Sequence, residues 1–256
     1  IEQHNAAGHI PFRSWCPICV ATSANEDPHK EVKHDGHDFP VFSSDYCFMN
    51  TKDKKDTLTI YVVRERKSKS SFSTIVPRKG IHETTVAVDF MLDCIAELGF
   101  TNHKIYLKND QEPAIQAVIQ GVTQGRAAPT LLEESLVGSS ASNGDVENAV
   151  QAMEKGIRKL RAGFENKYKV KLPLDSDIIP WLVIHAGFTY NRFQIGFDGK
   201  TPYQRIRGKV FDKPLCEFGE CVHYKVPKRL IGPELNKWDN RWDTGIFLGV
   251  RSISNE

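Results

Sequence analysis

Three acidic residues of the sequence stand where a carboxylate has a chemical use. Asp45 interrupts an apolar, β-prone run, where an ionised carboxylate is costly unless it is paired or bound to a cation. Asp110 ends a second apolar run, and Glu147 falls in the first turn of a predicted helix. Three such acids brought together repel one another, and hard divalent cations such as Mg²⁺ or Mn²⁺ relieve that repulsion. The sequence therefore predicts a two-ion site for phosphoryl transfer.

Other acids compete for the third position of this set. The chain has 32 acidic residues, so three acids are not specific by spacing alone. The alternatives to Glu147 are Asp145, Glu133 and Glu134. A first-turn acid such as Glu147 is also favoured by the helix dipole without any metal. Asp45 has the best physical support, because it is the acid embedded in an apolar strand.

Residues 1–35 contain a second set of side chains suited to metal binding. They are rich in His, Cys, Pro and charge, with little apolar periodicity, so they lack a hydrophobic core of their own. A structural, tetrahedral Zn²⁺ accepts two imidazoles and two thiolates. The predicted ligands are His4, His9, Cys16 and Cys19. The short spacing leaves the fourth ligand open: His29 competes with His4, and the weaker candidates are His34 and His37.

Strand and helix patterns surround the three acids. Three β-prone runs separated by polar turns predict antiparallel strands at 41–49, 58–63 and 71–76. Apolar residues at helical spacing predict a helix over 87–98, and 105–107 predicts a buried strand that leads into Asp110. A helix from about 112 to 119 follows. The stretch after it, with Gly121, Gly125, Gly138 and the run 139–144, predicts a mobile loop.

The longest predicted helix follows that loop and carries Glu147. Its apolar stripe extends from Val146 to Phe164, and its basic residues lie off the stripe. Further helices are predicted over about 178–191 and over 201–207, the second capped by Thr201. After residue 208, strand-like runs at 221–226 and 244–250 predict a small β appendage. This order of elements predicts a mixed α/β sheet flanked by helices.

Composition limits the class of protein. With 256 residues, 40% of them hydrophobic and 26% charged, the chain is long enough for one mid-sized domain with small appendages. The net charge of +2 does not by itself indicate a nucleic-acid partner. There is no apolar run of the ~20 residues that a membrane helix needs and no apolar signal segment, so we expect an intracellular protein without a membrane partner. Because the chain begins at Ile1, we expect a fragment of a longer protein.

Several segments resemble the integrases of copia-type retrotransposons, which belong to the retroviral integrase superfamily. Segments 44–48 (SDYCF), 107–114 (LKNDQEPA) and 142–149 (SNGDVENA) resemble the three acid motifs of that family. The 36 residues between Asp110 and Glu147 are close to its usual gap. Four later segments resemble the downstream signatures of that family: 186–192 (AGFTYNR), 199–203 (GKTPY), 218–220 (FGE) and 242–249 (WDTGIFLG). The resemblance covers nearly the whole chain, with the motifs in the right order.

The resemblance implies an RNase H-like catalytic core over residues 36–206. A zinc-binding segment over 1–35 precedes it, and a barrel-like β module over 207–256, which we expect to be truncated, follows it. It further implies metal-dependent trimming of DNA 3′ ends and their transfer into target DNA, with Asp45, Asp110 and Glu147 as ligands of Mg²⁺ or Mn²⁺. The predicted partners are element ends and target DNA, together with further copies of the chain, and the predicted place of action is the nucleus.

Contact with DNA is expected near the helix that carries Glu147. The predicted contact residues are Asn143, Gly144, Lys155, Arg158 and Lys159. Arg158 lies eleven residues after Glu147 and returns to within ~20° of its face of the helix. We expect salt-sensitive binding dominated by the phosphate backbone. Two alternatives remain open: a catalytically inactive, nucleic-acid-binding remnant of a transposable element, and an RNase H-type nuclease.

Overall fold

The computed structural model describes residues 1–22, 39–50, 57–81, 84–134, 140–226 and 241–250, without the side chains of 134 and 140–143. The strands are β1 (Val41–Asn50), β2 (Thr57–Glu65), β3 (Ser71–Val76), β4 (Ile105–Asn109), β5 (Thr130–Glu134), β6 (Cys221–Lys225) and β7 (Trp242–Ile246). The helices are α1 (Glu2–Ala6), α2 (Pro17–Thr22), α3 (Val86–Glu97), α4 (Pro113–Gly125), α5 (Ser140–Tyr168), α6 (Ile178–Phe193) and α7 (Pro202–Arg207). None of the helices in these ranges combines the length and the apolar character needed to cross a bilayer.

The predicted mixed α/β sheet is confirmed. Five strands lie in the order β3-β2-β1-β4-β5. β1 pairs with β2 and β2 with β3 in antiparallel fashion, whereas β1 pairs with β4 and β4 with β5 in parallel fashion. The three successive antiparallel strands follow the β-prone runs of the sequence, and the parallel pairs need helical crossovers. The helix before β4 is α3, and the helix before β5 is α4.

Each face of the sheet has its own core. Tyr61 and Val63 of β2 point to one side, where they pack with Met91 of α3 and Ile115 of α4. Because side chains alternate along the strand, Ile60 and Val62 point to the other side, where they pack against α5 and α6. Asp45 is opposite Val62, so it lies on the α5 face of the sheet.

The prediction of a mobile loop between α4 and α5 is wrong in three places. α4 continues to Gly125, six residues past the predicted end, because Gly121 lets α4 approach α3: a Cβ there would lie 2.7 Å from Cγ2 of Val88. Residues 130–134 form β5, a strand that we did not predict. α5 begins at Ser140, so part of the serine-rich run is helical. Gly138 and Ser139 lie outside the described residues.

The short helix α7 begins as predicted. Thr201 accepts a hydrogen bond from the backbone of Gln204, whose side chain in turn accepts one from the backbone of Thr201. This reciprocal capping box satisfies two of the free amides at a helix start. The helix stops at Gly208, whose φ of 71° is easily reached only by glycine.

The described part of the C-terminal segment forms a two-stranded antiparallel sheet of β6 and β7. β7 begins two residues before the predicted strand and ends at Ile246. The residues that follow it pack on α6: the ring of Phe247 meets that of His185, and a Cβ on Gly249 would lie 3.1 Å from Nδ1 of His185. The small β module is therefore attached to the core, and its closure into a barrel remains a prediction.

Because the buried His185 packs against this module, we expect the attachment of the module to be sensitive to acid. Burial lowers the pKa of His185 to about 3, below the ordinary value of 6.5, and neither ring nitrogen has a partner within the described residues. A lowered histidine pKa means that stability is complete above pH ~6.5 and is lost as the pH falls toward the folded-state value. At pH 5 the loss attributable to His185 is about 2 kcal/mol. We expect His185→Leu to remove that loss in urea unfolding at pH 7 and pH 5.

The exposed His103 offers the matched control for this measurement. His103→Asn should leave the difference between the two pH values as in the wild type. A His185→Leu protein that keeps the full wild-type acid sensitivity contradicts the prediction.

Candidate catalytic and metal site

Two of the three predicted acids lie at the same height on adjacent parallel strands. The ladder between β1 and β4 pairs Val41 with Tyr106 and Phe42 with Leu107. The same register, carried onward, places Asp45 level with Asp110, which directly follows β4. The fold therefore brings Asp45 and Asp110 to one end of β4.

A side-chain clasp holds the two strands together one residue before each acid. The Asn109 side-chain oxygen accepts hydrogen bonds from the backbone N–H of Ser44 at 2.6 Å and from its hydroxyl at 2.9 Å. The backbone ladder between β1 and β4 ends at Phe42, so these bonds take its place. The clasp fixes the height of Asp45 relative to Asp110.

The Asp45 carboxylate is short of positive charge. Burial raises its pKa above the ordinary range, and the nearby carboxylates of Glu112 and Asp110 raise it further. The backbone N–H of Tyr46, which donates to Oδ1 at 2.7 Å, and the Lys79 ammonium act in the opposite direction. A half-buried carboxylate facing two others is a suitable ligand for a divalent cation.

Lys79 and Glu112 belong to this acid cluster and were missed by the sequence analysis. The Lys79 ammonium lies 2.7 and 3.0 Å from the two carboxylate oxygens of Glu112. It also lies over the rings of Tyr46 and Phe48, at 5.5 and 5.2 Å from their centroids. Glu112 follows Asp110 by two residues, which is a usable signal, whereas nothing near Lys79 in sequence indicates that it approaches β1.

Glu147 lies on α5, exposed, between the buried residues Val146 and Ala149. Ala149 packs in the same core as Cys47, which lies two residues after Asp45 on the same face of β1. Glu154, seven residues on and therefore on the same flank of α5, acts on the Cys47 thiol. Glu147 thus lies on the flank of α5 that faces β1. It is not among the carboxylates that act on Asp45, which are those of Glu112 and Asp110.

The structure also changes the local context of Glu147. Because α5 begins at Ser140, Glu147 lies in the second turn of the helix and not in the first. The attraction to the helix dipole falls off within the first turn, so it does not explain an acid at this position. An interaction of Glu147 with a group outside the helix is therefore the better explanation of an acid at this position.

Of the three other candidates for the third ligand, two form ion pairs elsewhere, and the side chain of the last lies outside the described residues. Asp145 pairs with the Lys69 ammonium at 2.7 Å and lies 3.6 Å from the Arg64 guanidinium, on the flank of α5 away from Glu147. Glu133 pairs with Lys108 at 2.8 Å across β4 and β5. The side chain of Glu134 is not described.

The four predicted zinc ligands of the N-terminal segment form one cluster. Their ligand atoms all lie within 4.8 Å of one another, and the residues are His4, His9, Cys16 and Cys19. Sγ of Cys16 lies 3.4 Å from Nδ1 of His9, and Sγ of Cys19 lies 3.4 Å from Nε2 of His4. The geometry therefore favours His4 as the fourth ligand, while the competing His29, with His34 and His37, lies outside the described residues.

The electrostatics of this cluster fit a bound cation. Burial lowers the pKa of His9 to about 4, which keeps its imidazole neutral, as metal ligation requires. Burial raises the pKa of Cys19, so its thiolate forms only with a compensating positive charge. Two neutral imidazoles and two thiols converging on one point match the ligand preference of Zn²⁺.

The basic residues predicted to contact DNA separate into two groups. Lys155 is half-buried, and Arg158 is exposed on the side of α5 that carries Glu147, with an ion pair to Glu154 at 3.5 Å. Lys159 is only 9% exposed and lies among the His and Cys side chains of the N-terminal segment. A Cβ on Gly144 would meet open space, and the side chain of Asn143 is not described.

No family model matches the chain, and no curated protein matches it in sequence. A chain of the simian T-cell lymphotropic virus intasome, solved in complex with PP2A regulatory subunit B56 gamma, matches with a TM-score of 0.51 and 19% identity over 90% of this chain and 76% of that one. The trimeric form of the HTLV-2 integrase catalytic core domain, in complex with magnesium, matches with a TM-score of 0.45 and 18% identity over 65% of this chain and 95% of that one. The dimeric form gives a TM-score of 0.44 and 18% identity over 65% and 96%. The likeness to the intasome chain shows a shared fold, and the mixed sheet flanked by helices is consistent with an RNase H-like integrase core.

Proposed function

We propose that this chain is the integrase core of a copia-type retrotransposon, which trims DNA 3′ ends and joins them to target DNA. One observation carries the proposal. Asp45 on β1 lies level with Asp110 at the end of the parallel strand β4, and the Asp45 carboxylate is half-buried near those of Glu112 and Asp110. The shared fold with an intasome chain and the order of the sequence motifs support it.

In this proposal Asp45, Asp110 and Glu147 hold divalent cations, Mg²⁺ or Mn²⁺. Bound there, such ions activate the attacking oxygen and stabilise the leaving one. The chain's own residues supply position: the Asn109 clasp fixes two acids, and α5 carries the third on the flank facing β1. The Lys79–Glu112 ion pair borders the site, and the Lys79 ammonium would share the neutralisation of these acids with a bound metal.

The remaining parts of the proposal rest on the resemblance and on the side-chain chemistry. His4, His9, Cys16 and Cys19 hold a structural Zn²⁺ that orders the N-terminal segment. Exposed cations on α5, Arg158 among them, contact the phosphate backbone of element ends and target DNA in a salt-sensitive manner. The chain acts as a homo-oligomer on nuclear DNA. The three units are the segment 1–35, the core 36–206 and the β module 207–256.

The test uses labelled DNA ends, a supercoiled target and an RNA–DNA hybrid, each with Mg²⁺ or Mn²⁺. Asp110→Asn and Glu147→Gln should lower cleavage and joining by more than the ~10–100-fold that loss of an outer partner of a metal site costs. Glu154→Gln is the matched control on the same flank of α5, and it should stay within a few-fold of the wild type.

Each alternative reading has its own outcome in this experiment. Cleavage of the hybrid without joining of DNA ends favours an RNase H-type nuclease. DNA binding without any metal-dependent turnover means an inactive remnant. Wild-type turnover that is indifferent to both substitutions contradicts the assignment of Asp110 and Glu147.

A further inference from the structure

A cavity of about 510 Å³ lies at the β3 edge of the sheet, between the C-terminal ends of α3 and α6 and the short helix α7. β3 is the outer strand of the sheet, two strands away from β1. The cavity is therefore separate from the acid cluster around Asp45. Its volume is within the range of small-molecule sites in proteins.

The lining of this cavity combines apolar and basic side chains. Phe72 of β3, Leu98 after α3 and Ile206 of α7 give it an apolar surface. It also contains three cations, which are Arg192, Arg207 and Lys209. Among the described residues that line the cavity, Glu97 is the one acid. With three cations against one carboxylate, the lining carries an excess of positive charge.

Arg192 is the buried cation of this lining, and most of its hydrogen-bonding capacity is unused. Only 6% of the residue is exposed. Its guanidinium lies 3.6 Å from the centroid of the Phe188 ring, and Nη1 donates to the Phe188 carbonyl at 3.3 Å. Within the part of the chain that the structure describes, this is the single hydrogen bond of the guanidinium, and its buried Nε has no partner. An arginine offers five N–H donors, so an acceptor is lacking.

The surroundings of Arg192 explain its positive charge but not its unused donors. The rings of Tyr203 and Phe211 lie 5.5 and 5.4 Å from the guanidinium carbon. Cation–π attraction acts through the ring faces, whereas the N–H groups at the edge of a buried guanidinium still need acceptors. The dipole of α6 favours a cation in its last turn. Burial lowers the pKa of Arg192 to about 10, so the side chain is charged at neutral pH.

Asn191 supplies a second donor beside this arginine. It is 5% exposed and lines the same cavity. Its side-chain oxygen accepts a hydrogen bond from the backbone N–H of Ser71 at 2.7 Å, which leaves the side-chain NH₂ group for a ligand. A guanidinium fork matches the oxygen atoms of a phosphate or a carboxylate. The exposed Arg207 and Lys209 add attraction for the same charge.

We propose that this cavity binds a small anion with an apolar or aromatic body, whose phosphate or carboxylate accepts hydrogen bonds from Arg192 and Asn191. The body of the ligand packs against Phe72, Leu98 and Ile206. This inference goes beyond the proposed function and does not depend on it, because neither DNA nor the acid cluster takes part in the binding.

The experiment titrates the full 256-residue chain with two aromatic anions, phenyl phosphate and phenylacetate, and follows binding by ligand-detected NMR. Benzyl alcohol supplies the aromatic body without the charge, and inorganic phosphate supplies the charge without the body. The aromatic anions should bind at least about 10-fold more tightly than either of these, since hydrogen bonds to a charged group and apolar burial both contribute.

Three variants locate the binding site. Arg192→Met should weaken binding of phenyl phosphate by about 10–100-fold, the loss expected for hydrogen bonds to a charged group. Because Arg192 is buried, Ile206→Trp is a second variant, which keeps the guanidinium, fills the cavity and should also abolish binding. Lys200→Met removes an exposed lysine that does not line the cavity, and this matched control should bind as the wild type does. Phenyl phosphate should raise the melting temperature of the wild type and of Lys200→Met alone.

Each outcome supports or overturns a defined part of the inference. Folded wild-type protein that binds neither aromatic anion overturns it entirely. Equal binding by the wild type and Ile206→Trp places the anion elsewhere and overturns the assignment of this cavity. Equal affinity for inorganic phosphate and phenyl phosphate overturns the role of the apolar lining. Displacement of phenyl phosphate by single-stranded DNA identifies the bound oxyanion as a backbone phosphate and overturns the assignment to a small ligand.

Discussion

Asp45→Asn should abolish metal-dependent cleavage and joining of DNA and, at neutral pH, make the metal-free protein more stable than the wild type. Burial and the carboxylates of Glu112 and Asp110 raise the pKa of Asp45. An acid whose pKa is raised on folding contributes stability below its unfolded-state pKa and loses it as the pH rises through the folded value. At pH 7 the ionised Asp45 therefore opposes folding. An asparagine of the same size removes that charge.

The measurement is a thermal melt at pH 7 in EDTA and again with Mn²⁺. We expect Asp45→Asn to melt above the wild type in EDTA, with about 2–4 °C for each kcal/mol regained. Addition of Mn²⁺ should then raise the wild type and leave the variant unchanged. Asp110→Asn is the comparison variant, since Asp110 is exposed: it should lose the response to Mn²⁺ with a smaller gain in EDTA, because it relieves the repulsion from Asp110 and leaves the burial of Asp45 in place. A variant that melts below the wild type in EDTA contradicts this account of Asp45.

Local sequence patterns were sufficient where local chemistry decides the structure. The β-prone runs around the first polar turns predicted β1, β2 and β3 to within a few residues. Thr201 before a proline predicted the start of α7, because a capping box is made within four residues. Asp45 was recognisable as a candidate functional residue for a similar reason: a carboxylate within an apolar strand conflicts with its own surroundings.

The predictions of secondary structure were wrong where contacts between residues distant in sequence determine the local structure. β5 is a strand because Thr130–Glu134 pairs with β4, and a five-residue run at a sheet edge carries little signal of its own. Gly121 is helical because α3 must approach closely at Val88, although an isolated glycine is a weak helix former. The start of α5 passes through Gly144 for the same reason, since the packing of Ala149 and the ion pairs of Asp145 compensate for poor propensity.

The candidate sites show the same division. Spacing left the choice between His4 and its competitor His29 open, and the folded chain favours His4 by placing it 3.4 Å from Cys19. The strand register behind the Asn109 clasp and the approach of Lys79 to Asp45 are properties of the assembled sheet. Residue type predicted the candidate side chains, and the fold determined which of them lie close together.

The second large effect is expected at Asp145, which we predict to be a structural acid, in contrast to Glu147, the proposed metal ligand two residues away. Its carboxylate meets the Lys69 ammonium and the Arg64 guanidinium, which is only 6% exposed. Arg64 also donates to the hydroxyls of Ser71 at 2.6 Å and Tyr190 at 3.2 Å, so it joins β2, β3 and α6. Asp145 thereby ties the start of α5 to this junction.

Asp145→Ala should therefore lower the free energy of unfolding by about 3 kcal/mol, since removal of one partner leaves a buried charge uncompensated. For a chain of this length the melting temperature should fall by roughly 6–12 °C. Lys69→Met should cost less, because the Lys69 side chain is 30% exposed and the Arg64–Asp145 contact remains. Urea unfolding and thermal melts measure these differences directly.

Glu147→Ala should show the reverse pattern. Its side chain is exposed, so stability should change by no more than about 0.5 kcal/mol. The rise in melting temperature with Mn²⁺ should be lost in Glu147→Ala and retained in Asp145→Ala. If Asp145→Ala stays as stable as the wild type but no longer responds to Mn²⁺, then Asp145 is the third ligand. The Lys69 and Arg64 contacts would then be an arrangement that metal binding breaks, and α5 would have to turn to present its opposite flank to β1.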